Sequence, residues 1–197
     1  MEARPTPADD PVALLARALD QAGGAIGRVR PEQATLPTPC RSWDVRALVN
    51  HVVQDVQHFT ASASGQPWEP DDRDLIGDDW AGAYGRAAAA LLGVWRQPGA
   101  LDRTLRLPFG ELPARWVLDQ QVTDLAVHAW DVAKATGQPT DLDAEVGRLA
   151  LDWGRENLKP QFRGDEASGQ DFGAEVPVPG DAPLYDRLAG LFGRDPS

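Results

Sequence analysis

Three residues of this sequence have the types and spacing to hold a divalent metal ion: His51, Asp124 and His128. Asp124 and His128 are four positions apart, so on a helix their side chains project from one face, one turn apart. A carboxylate and an imidazole in that relation can bind one metal ion together, as in helical zinc sites. An ordinary ion pair worth about 0.3 kcal/mol has the same spacing, so spacing alone leaves both interpretations open.

The third candidate ligand, His51, lies on another predicted helix, at the flank of that helix's apolar stripe. If the two helices pack stripe to stripe, the three side chains meet. Two imidazoles and one carboxylate leave coordination positions open for water or substrate, which is typical of catalytic zinc sites. The same donors form the facial triad of non-haem iron enzymes, so the set does not select the metal. A half-buried, hydrogen-bonded histidine is the alternative for His51.

Other residues that could do chemistry carry weaker predictions. His58, two turns after His51, is expected at the rim of the site or on the surface, and not as a fourth ligand. Asp55 lies between them and could orient a ligand, but a solvated carboxylate is the favoured interpretation. Cys40 precedes a predicted helix, where the helix dipole can make a thiol reactive. A small buried hydrophobe is the favoured interpretation of Cys40.

Composition excludes several classes of partner. The formal net charge of −11 argues against a nucleic-acid-binding surface and against binding to anionic membranes. A single cysteine excludes an intramolecular disulfide, and no apolar stretch is long enough to span a bilayer. The first residues lack the layout of a signal peptide, so a cytoplasmic location is expected. The sequence contains neither a phosphate-binding glycine loop nor a G-x-S-x-G nucleophile motif.

Apolar residues at helical spacing predict the elements that would position the candidate ligands. The four main predicted helices cover residues 11–26, 42–65, 78–96 and 113–136, and the second is expected to open with Ser42 as its N-cap. A short extended or hairpin segment is predicted over 101–112, a fifth helix up to residue 157 and a short final helix over 182–192.

The predicted fold is therefore all-α, an up-down four-helix bundle with short extra helices and an irregular C-terminal tail. Residues 1–160 are expected to form the metal-binding bundle. Residues 161–197 are expected to form the tail, whose short helix packs on the bundle.

Two stretches of the sequence also resemble a known family. The segment Thr38 to His51, TPCRSWDVRALVNH, resembles the helix-two signature of the DinB/YfiT-like superfamily. Within that superfamily it is most similar to the branch of mycothiol-dependent maleylpyruvate isomerase N-terminal, metal-binding domains. The segment Asp124 to Gly137, DLAVHAWDVAKATG, resembles the second metal motif of that branch, and the ending over residues 172–196 is also similar.

The resemblance implies a four-helix bundle that binds a divalent metal, most commonly zinc, with nickel or iron as alternatives. The ligands would be His51, Asp124 and His128, with Asp131 as the residue that orients a ligand. The implied activity is that of a metal-dependent transferase or isomerase that uses a low-molecular-weight thiol such as mycothiol. A metal-binding or ligand-sensing protein without turnover and a metal-assisted hydrolase are the alternatives.

Overall fold

The structure, a computed structural model, describes residues 10–69, 73–107, 110–164 and 172–197. Within these ranges α-helices dominate, as predicted, and the all-α fold is confirmed. The helices are α1 (Pro11–Gly27), α2 (Val45–Ser64), α3 (Trp80–Trp95), α4 (Ala114–Thr136), α5 (Ala144–Asn157) and α6 (Leu184–Leu191).

The predicted extended segment between α3 and α4 is an antiparallel hairpin of β1 (Thr104–Leu107) and β2 (Gly110–Pro113). Leu105 of β1 is buried and pairs with Leu112 of β2, so the hairpin covers one end of the core. The part of this prediction that concerned residues 108 and 109 lies outside the described residues. Among the described residues, no helix has the length and apolar character needed to cross a membrane.

Helix α2 begins two residues later than a Ser42 cap would allow. Asp44 is the N-cap, and its carboxylate accepts a hydrogen bond from the backbone N–H of Ala47 at 2.8 Å. The prediction of Ser42 as the cap is therefore wrong. The physical reason is the preceding backbone: Asp44 forms an isolated β-bridge with Pro37, and the N–H of Val45 donates to a carbonyl in the same loop. These contacts hold the chain extended up to Asp44.

The four long helices surround one core. Helix α1 packs against α3 and α4, and α2 packs against α3 and α4, which is the predicted four-helix bundle. Helix α5 lies against α4 and α1, and α6 lies against α5 and α4. Helix α4 is therefore covered on most sides, and the side chains that it carries are largely withdrawn from water. The division of the chain into residues 1–160 and 161–197 stays a prediction.

Two glycines of α5 allow the C-terminal helix to pack closely. A Cβ atom at Gly147 would stand 2.8 Å from the ring of Tyr185, and one at Gly154 would stand 2.7 Å from the ring of Phe192. Both distances are shorter than real Cβ contacts, so only glycine fits there without displacing a buried ring. The close approach seats α6 and the residues after it against the bundle.

Candidate metal centre

The packing of α2 on α4 brings two histidines of different helices together. The ring centroids of His51 and His128 are 5.2 Å apart in an edge-to-face arrangement. Nε2 of His128 lies 3.8 Å from Oδ1 of Asp124, one turn earlier on α4. The indole of Trp43 packs on the ring of His51, with ring centroids 4.1 Å apart. In this cluster His51 and His128 meet at the edge of the core, and Asp124 lies beside His128.

The cluster retains partial access to solvent. The side chain of His128 is 7% exposed, whereas those of Asp124 and His51 are 25% and 27% exposed. A site with one deeply buried ligand and two half-buried ligands has a closed side towards the core and an open side towards water.

Asp55 belongs to the same cluster. Its Oδ2 lies 2.8 Å from Nε2 of His51, because the two residues are one turn apart on α2. Ligand atoms of His51, Asp55 and His128 all lie within 4.8 Å of one another, and the Asp55 side chain is 21% exposed. The interpretation of Asp55 as a solvated carboxylate is therefore wrong, since the residue faces α4 and the other candidate ligands.

The cluster concentrates negative charge in a poorly hydrated place. Burial, reinforced by the carboxylate of Asp55 and opposed by His128, raises the pKa of Asp124 to about 6. Burial also disfavours the imidazolium form of His128, but the carboxylates of Asp124 and Asp131 together raise its pKa above the ordinary value. Two carboxylates and two imidazoles that lie close together and are withdrawn from water are a donor set that a divalent cation would stabilise.

Asp131 fixes the orientation of His128. Oδ2 of Asp131 lies 3.1 Å from Nδ1 of His128, and Asp131 is fully buried. When Nδ1–H donates to this carboxylate, the lone pair of Nε2 is directed to the side where Asp124 lies. Metal-binding histidines in proteins are held in this way, with the second ring nitrogen donating to a carboxylate. The residues present therefore fit a divalent metal.

Two further residues contact Asp131 from distant parts of the chain. The thiol of Cys40 donates to Oδ2 of Asp131 at 3.3 Å, and Nη2 of Arg194 lies 3.2 Å from the same oxygen. Arg194 also contacts the sulfur of Cys40 at 3.2 Å. Cys40 is buried as expected, but it is part of a polar network and not only a small hydrophobe.

The network sets the charges of its members. Burial alone would raise the pKa of Asp131, but Arg194 and His128 lower it to about 2. Burial and the neighbouring Asp131 raise the pKa of the Cys40 thiol. Asp131 is thus an ionised acceptor and Cys40 a neutral thiol. Sequence reasoning did not single out Arg194, because it lies 63 residues from Asp131 in an irregular segment.

His58 lies apart from these contacts. Its ring stacks on Trp68, with centroids 5.7 Å apart, and on Phe59. Within the described part of the chain, His58 is not among the side chains that cluster around His128.

Comparison with known proteins defines the family to which the chain belongs. The family model of the mycothiol maleylpyruvate isomerase N-terminal domain matches residues 15–133. The chain therefore belongs to this family, and the suspected resemblance is confirmed. The matched region contains all three candidate ligands but ends well before Arg194.

Individual relatives extend the match over nearly the whole chain. Two proteins of Mycobacterium tuberculosis, "Uncharacterized protein Rv0738" of strain H37Rv and "Uncharacterized protein MT0763" of strain CDC 1551, are each 38% identical over 188 residues. These alignments cover 94% of this chain and 98% of each relative. The crystal structure of the mycothiol-dependent maleylpyruvate isomerase matches with a TM-score of 0.61 and 15% identity, over 93% of this chain and 88% of that chain. At this identity the structural match shows a shared fold.

Proposed function

We propose that the protein is a metal-dependent enzyme that acts on a low-molecular-weight thiol such as mycothiol, as a transferase or isomerase. We propose that His51, Asp124 and His128 hold a divalent metal, and that this metal is zinc. The observation that carries the proposal is the orientation of His128, whose Nδ1 contacts Asp131 while its Nε2 is directed towards Asp124. The family, which is named for a mycothiol-dependent isomerase, supplies the class of substrate.

Each residue has a defined task in this proposal. Asp131 holds the tautomer and the ring orientation of His128. Trp43 packs on His51 and excludes water from one face of its ring. Oδ2 of Asp55 lies 2.8 Å from Nε2 of His51, and its carboxylate adds negative charge beside the site. When bound, the metal would favour the thiolate form of a coordinated thiol, which is the reactive nucleophile.

One observation favours a second candidate function, a metal site without turnover. Ligand atoms of Asp55, His51 and His128 lie within 4.8 Å of one another, so Asp55 is placed to add a fourth donor to the proposed three. Four protein donors make a closed site, which is typical of structural zinc. In that case the metal would stabilise the bundle and a thiol would find no open position.

Ligand replacement tests the metal site. Purified His51→Ala, Asp124→Ala and His128→Ala proteins are compared with His58→Ala for metal content after mild chelator dialysis. The first three should lose the metal, and His58→Ala should retain it, because His58 stacks on Trp68 away from the cluster. Circular dichroism must show that each variant is folded. Stoichiometric metal in the first three variants, or loss from His58→Ala alone, would refute the ligand set.

Thiol binding separates the two candidate functions. With cobalt in place of the native metal, addition of mycothiol should produce a sulfur-to-metal charge-transfer band. The band is expected because three protein ligands leave a coordination position for sulfur. If no band develops at millimolar mycothiol although cobalt is bound, the transferase or isomerase proposal is wrong and the site without turnover is favoured.

A further inference from the structure

We propose that Arg194 is a positioning residue of the metal site, and that docking of the C-terminal segment 193–196 is thermodynamically coupled to metal binding. The proposal rests on the proposed function for its assignment of His128 as a ligand. It adds a residue outside the region that the family model matches. It also gives the end of the chain a role in the site.

Arg194 is buried, and its guanidinium group makes several polar contacts. The side chain is buried, with the residue 6% exposed. Its Nε lies 3.3 Å from Oδ1 of Asp131, and its Nη2 lies 3.2 Å from Oδ2, so the guanidinium contacts both carboxylate oxygens. Nη1 donates to the carbonyl of Phe192 at 2.8 Å, and Nη2 also contacts the sulfur of Cys40. A buried guanidinium requires hydrogen-bond acceptors of this kind, and the charged one here is the carboxylate of Asp131.

That carboxylate is the one that orients His128. An aspartate side chain can rotate about two bonds, and in the structure its orientation places Oδ2 of Asp131 3.1 Å from Nδ1 of His128. The planar fork of Arg194 holds both oxygens and so removes this freedom. The imidazole of His128 is then kept in the orientation that directs Nε2 to the site. Arg194 therefore acts on the metal through Asp131, without touching it.

The backbone after α6 explains how Arg194 reaches Asp131. Gly193 has a positive φ of 81°, and a Cβ atom there would stand 2.8 Å from the backbone of Gly173. The N–H of Arg194 donates to the carbonyl of Ala189 at 2.9 Å, which turns the chain back towards the bundle. Beyond Arg194, the ammonium group of Lys134 on α4 donates to the carbonyl of Pro196 at 2.6 Å. The segment is thus fixed on both sides of Arg194.

Coupling follows from this arrangement. A metal ion that binds His128 favours the orientation of His128 that Asp131 and Arg194 stabilise. By linkage, a docked segment that raises metal affinity must itself be stabilised by the metal, and by the same factor. If the ion pair between Arg194 and Asp131 were purely structural, it would stabilise docking of the segment equally with and without metal.

Two variants and one control test the proposal. Arg194→Gln removes the charge and the fork, whereas Arg194→Lys keeps the charge but cannot contact both oxygens in the same way. Arg187→Gln is the control, because Arg187 lies on α6 with an exposed contact to the carbonyl of Gly180. Circular dichroism establishes that each protein is folded. Zinc affinity is measured by competition with a chromophoric chelator, and the cobalt d–d absorption reports the geometry of the site.

The expected results are specific. Arg194→Gln should weaken zinc binding by about 10- to 100-fold, the range for residues that orient a metal ligand. It should also shift the cobalt d–d bands. The zinc affinity of Arg194→Lys should lie between those of Arg194→Gln and the wild type, and the zinc affinity of Arg187→Gln should equal that of the wild type. In the wild type, zinc should slow amide hydrogen exchange at residues 190–196, and Arg194→Gln should abolish this effect.

The outcomes that overturn the proposal differ from those that overturn the proposed function. Wild-type zinc affinity and cobalt spectra in Arg194→Gln, or exchange at residues 190–196 that zinc leaves unchanged in the wild type, would refute the role of Arg194. The proposed function would remain. A wild type that binds no zinc, or a His128→Ala variant with full affinity, would refute the ligand set and the present proposal with it.

Discussion

Replacement of Asp124 by asparagine should stabilise the metal-free protein and at the same time abolish its metal binding. Burial chiefly raises the pKa of Asp124 from 3.8 to about 6. Each unit corresponds to about 1.4 kcal/mol of preference against the ionised form in the folded protein. The carboxylate thus costs at most about 3 kcal/mol of folding free energy at neutral pH. Because the side chain is 25% exposed, solvent screens part of this effect, and we expect a gain of about 1–3 kcal/mol in the variant.

The sign of the pH dependence follows from the direction of the shift. The folded-state pKa of Asp124 lies above its ordinary value of 3.8. The group therefore causes no loss of stability below that value, and the loss develops as the pH rises from there to about 6, above which it is complete. The metal-free variant and wild type should be equally stable below about pH 3.8, should diverge as the pH rises from there to about 6, and should keep a constant difference towards neutrality.

Urea unfolding followed by circular dichroism, in chelator and in zinc, measures the effect. Zinc at a hundred times its Kd should stabilise the wild type by about 2.7 kcal/mol and leave the variant unchanged. The gain of the variant over the wild type should therefore shrink or reverse when zinc is added. Asp152→Asn is the matched control, because its side chain is 73% exposed and its loss lowers the net negative charge of the protein equally.

The reasoning would be refuted by either of two results. In one, metal-free Asp124→Asn is less stable than the wild type at neutral pH. In the other, Asp152→Asn gains as much stability, so that relief of the overall charge of −11, and not of local burial, explains the effect.

Further predictions concern packing and the neighbours of the site. Gly154→Ala should lower the free energy of unfolding by about 1–3 kcal/mol, because the new Cβ would stand 2.7 Å from a buried ring. Gly93 on α3 has open space around it, so Gly93→Ala should raise the free energy of unfolding by up to about 1 kcal/mol. Urea midpoints equal to that of the wild type would contradict the predictions for both glycine variants. Cys40 should react with an aromatic disulfide far more slowly in the folded protein than in urea, because burial raises the pKa of its thiol; equal rates would show that it is accessible. Asp55→Asn should weaken zinc binding at least about tenfold in chelator competition, and unchanged affinity would exclude a role for this carboxylate.

The bundle could be predicted from the sequence because its signals are local. The stripe of α4 and the glycine after it predict a helix over 113–136, and the structure has Ala114–Thr136, with Gly137 in the left-handed conformation. The N-cap of α2 could not be predicted in the same way, because Ser42 and Asp44 are both good caps. A bridge between Pro37 and Asp44 selects the second, and this contact exists only in the folded protein.

In the candidate site, too, local sequence signals predict some contacts, and others depend on the folded structure. The pairing of Asp124 with His128 follows from helical spacing, and the proximity of His51 follows from the packing of two stripes. The role of Asp55 needed the relative rotation of α2 and α4, which periodicity does not fix to within a residue. Arg194 needed the path of an irregular segment, for which no periodic signal exists. The ligand set itself stays a prediction until metal is measured.

The contact between Arg194 and Cys40 also bears on the order of events in folding. It joins residues 154 positions apart, and contacts of such separation carry a large loop-closure entropy until the intervening chain is ordered. We therefore expect the helices to assemble first and the C-terminal segment to close over Asp131 last. A refolding chain can thus have its full helix content before His128 is held in place. Helical circular dichroism reports the assembled bundle, whereas protection of the Cys40 thiol reports closure of the C-terminal segment over it.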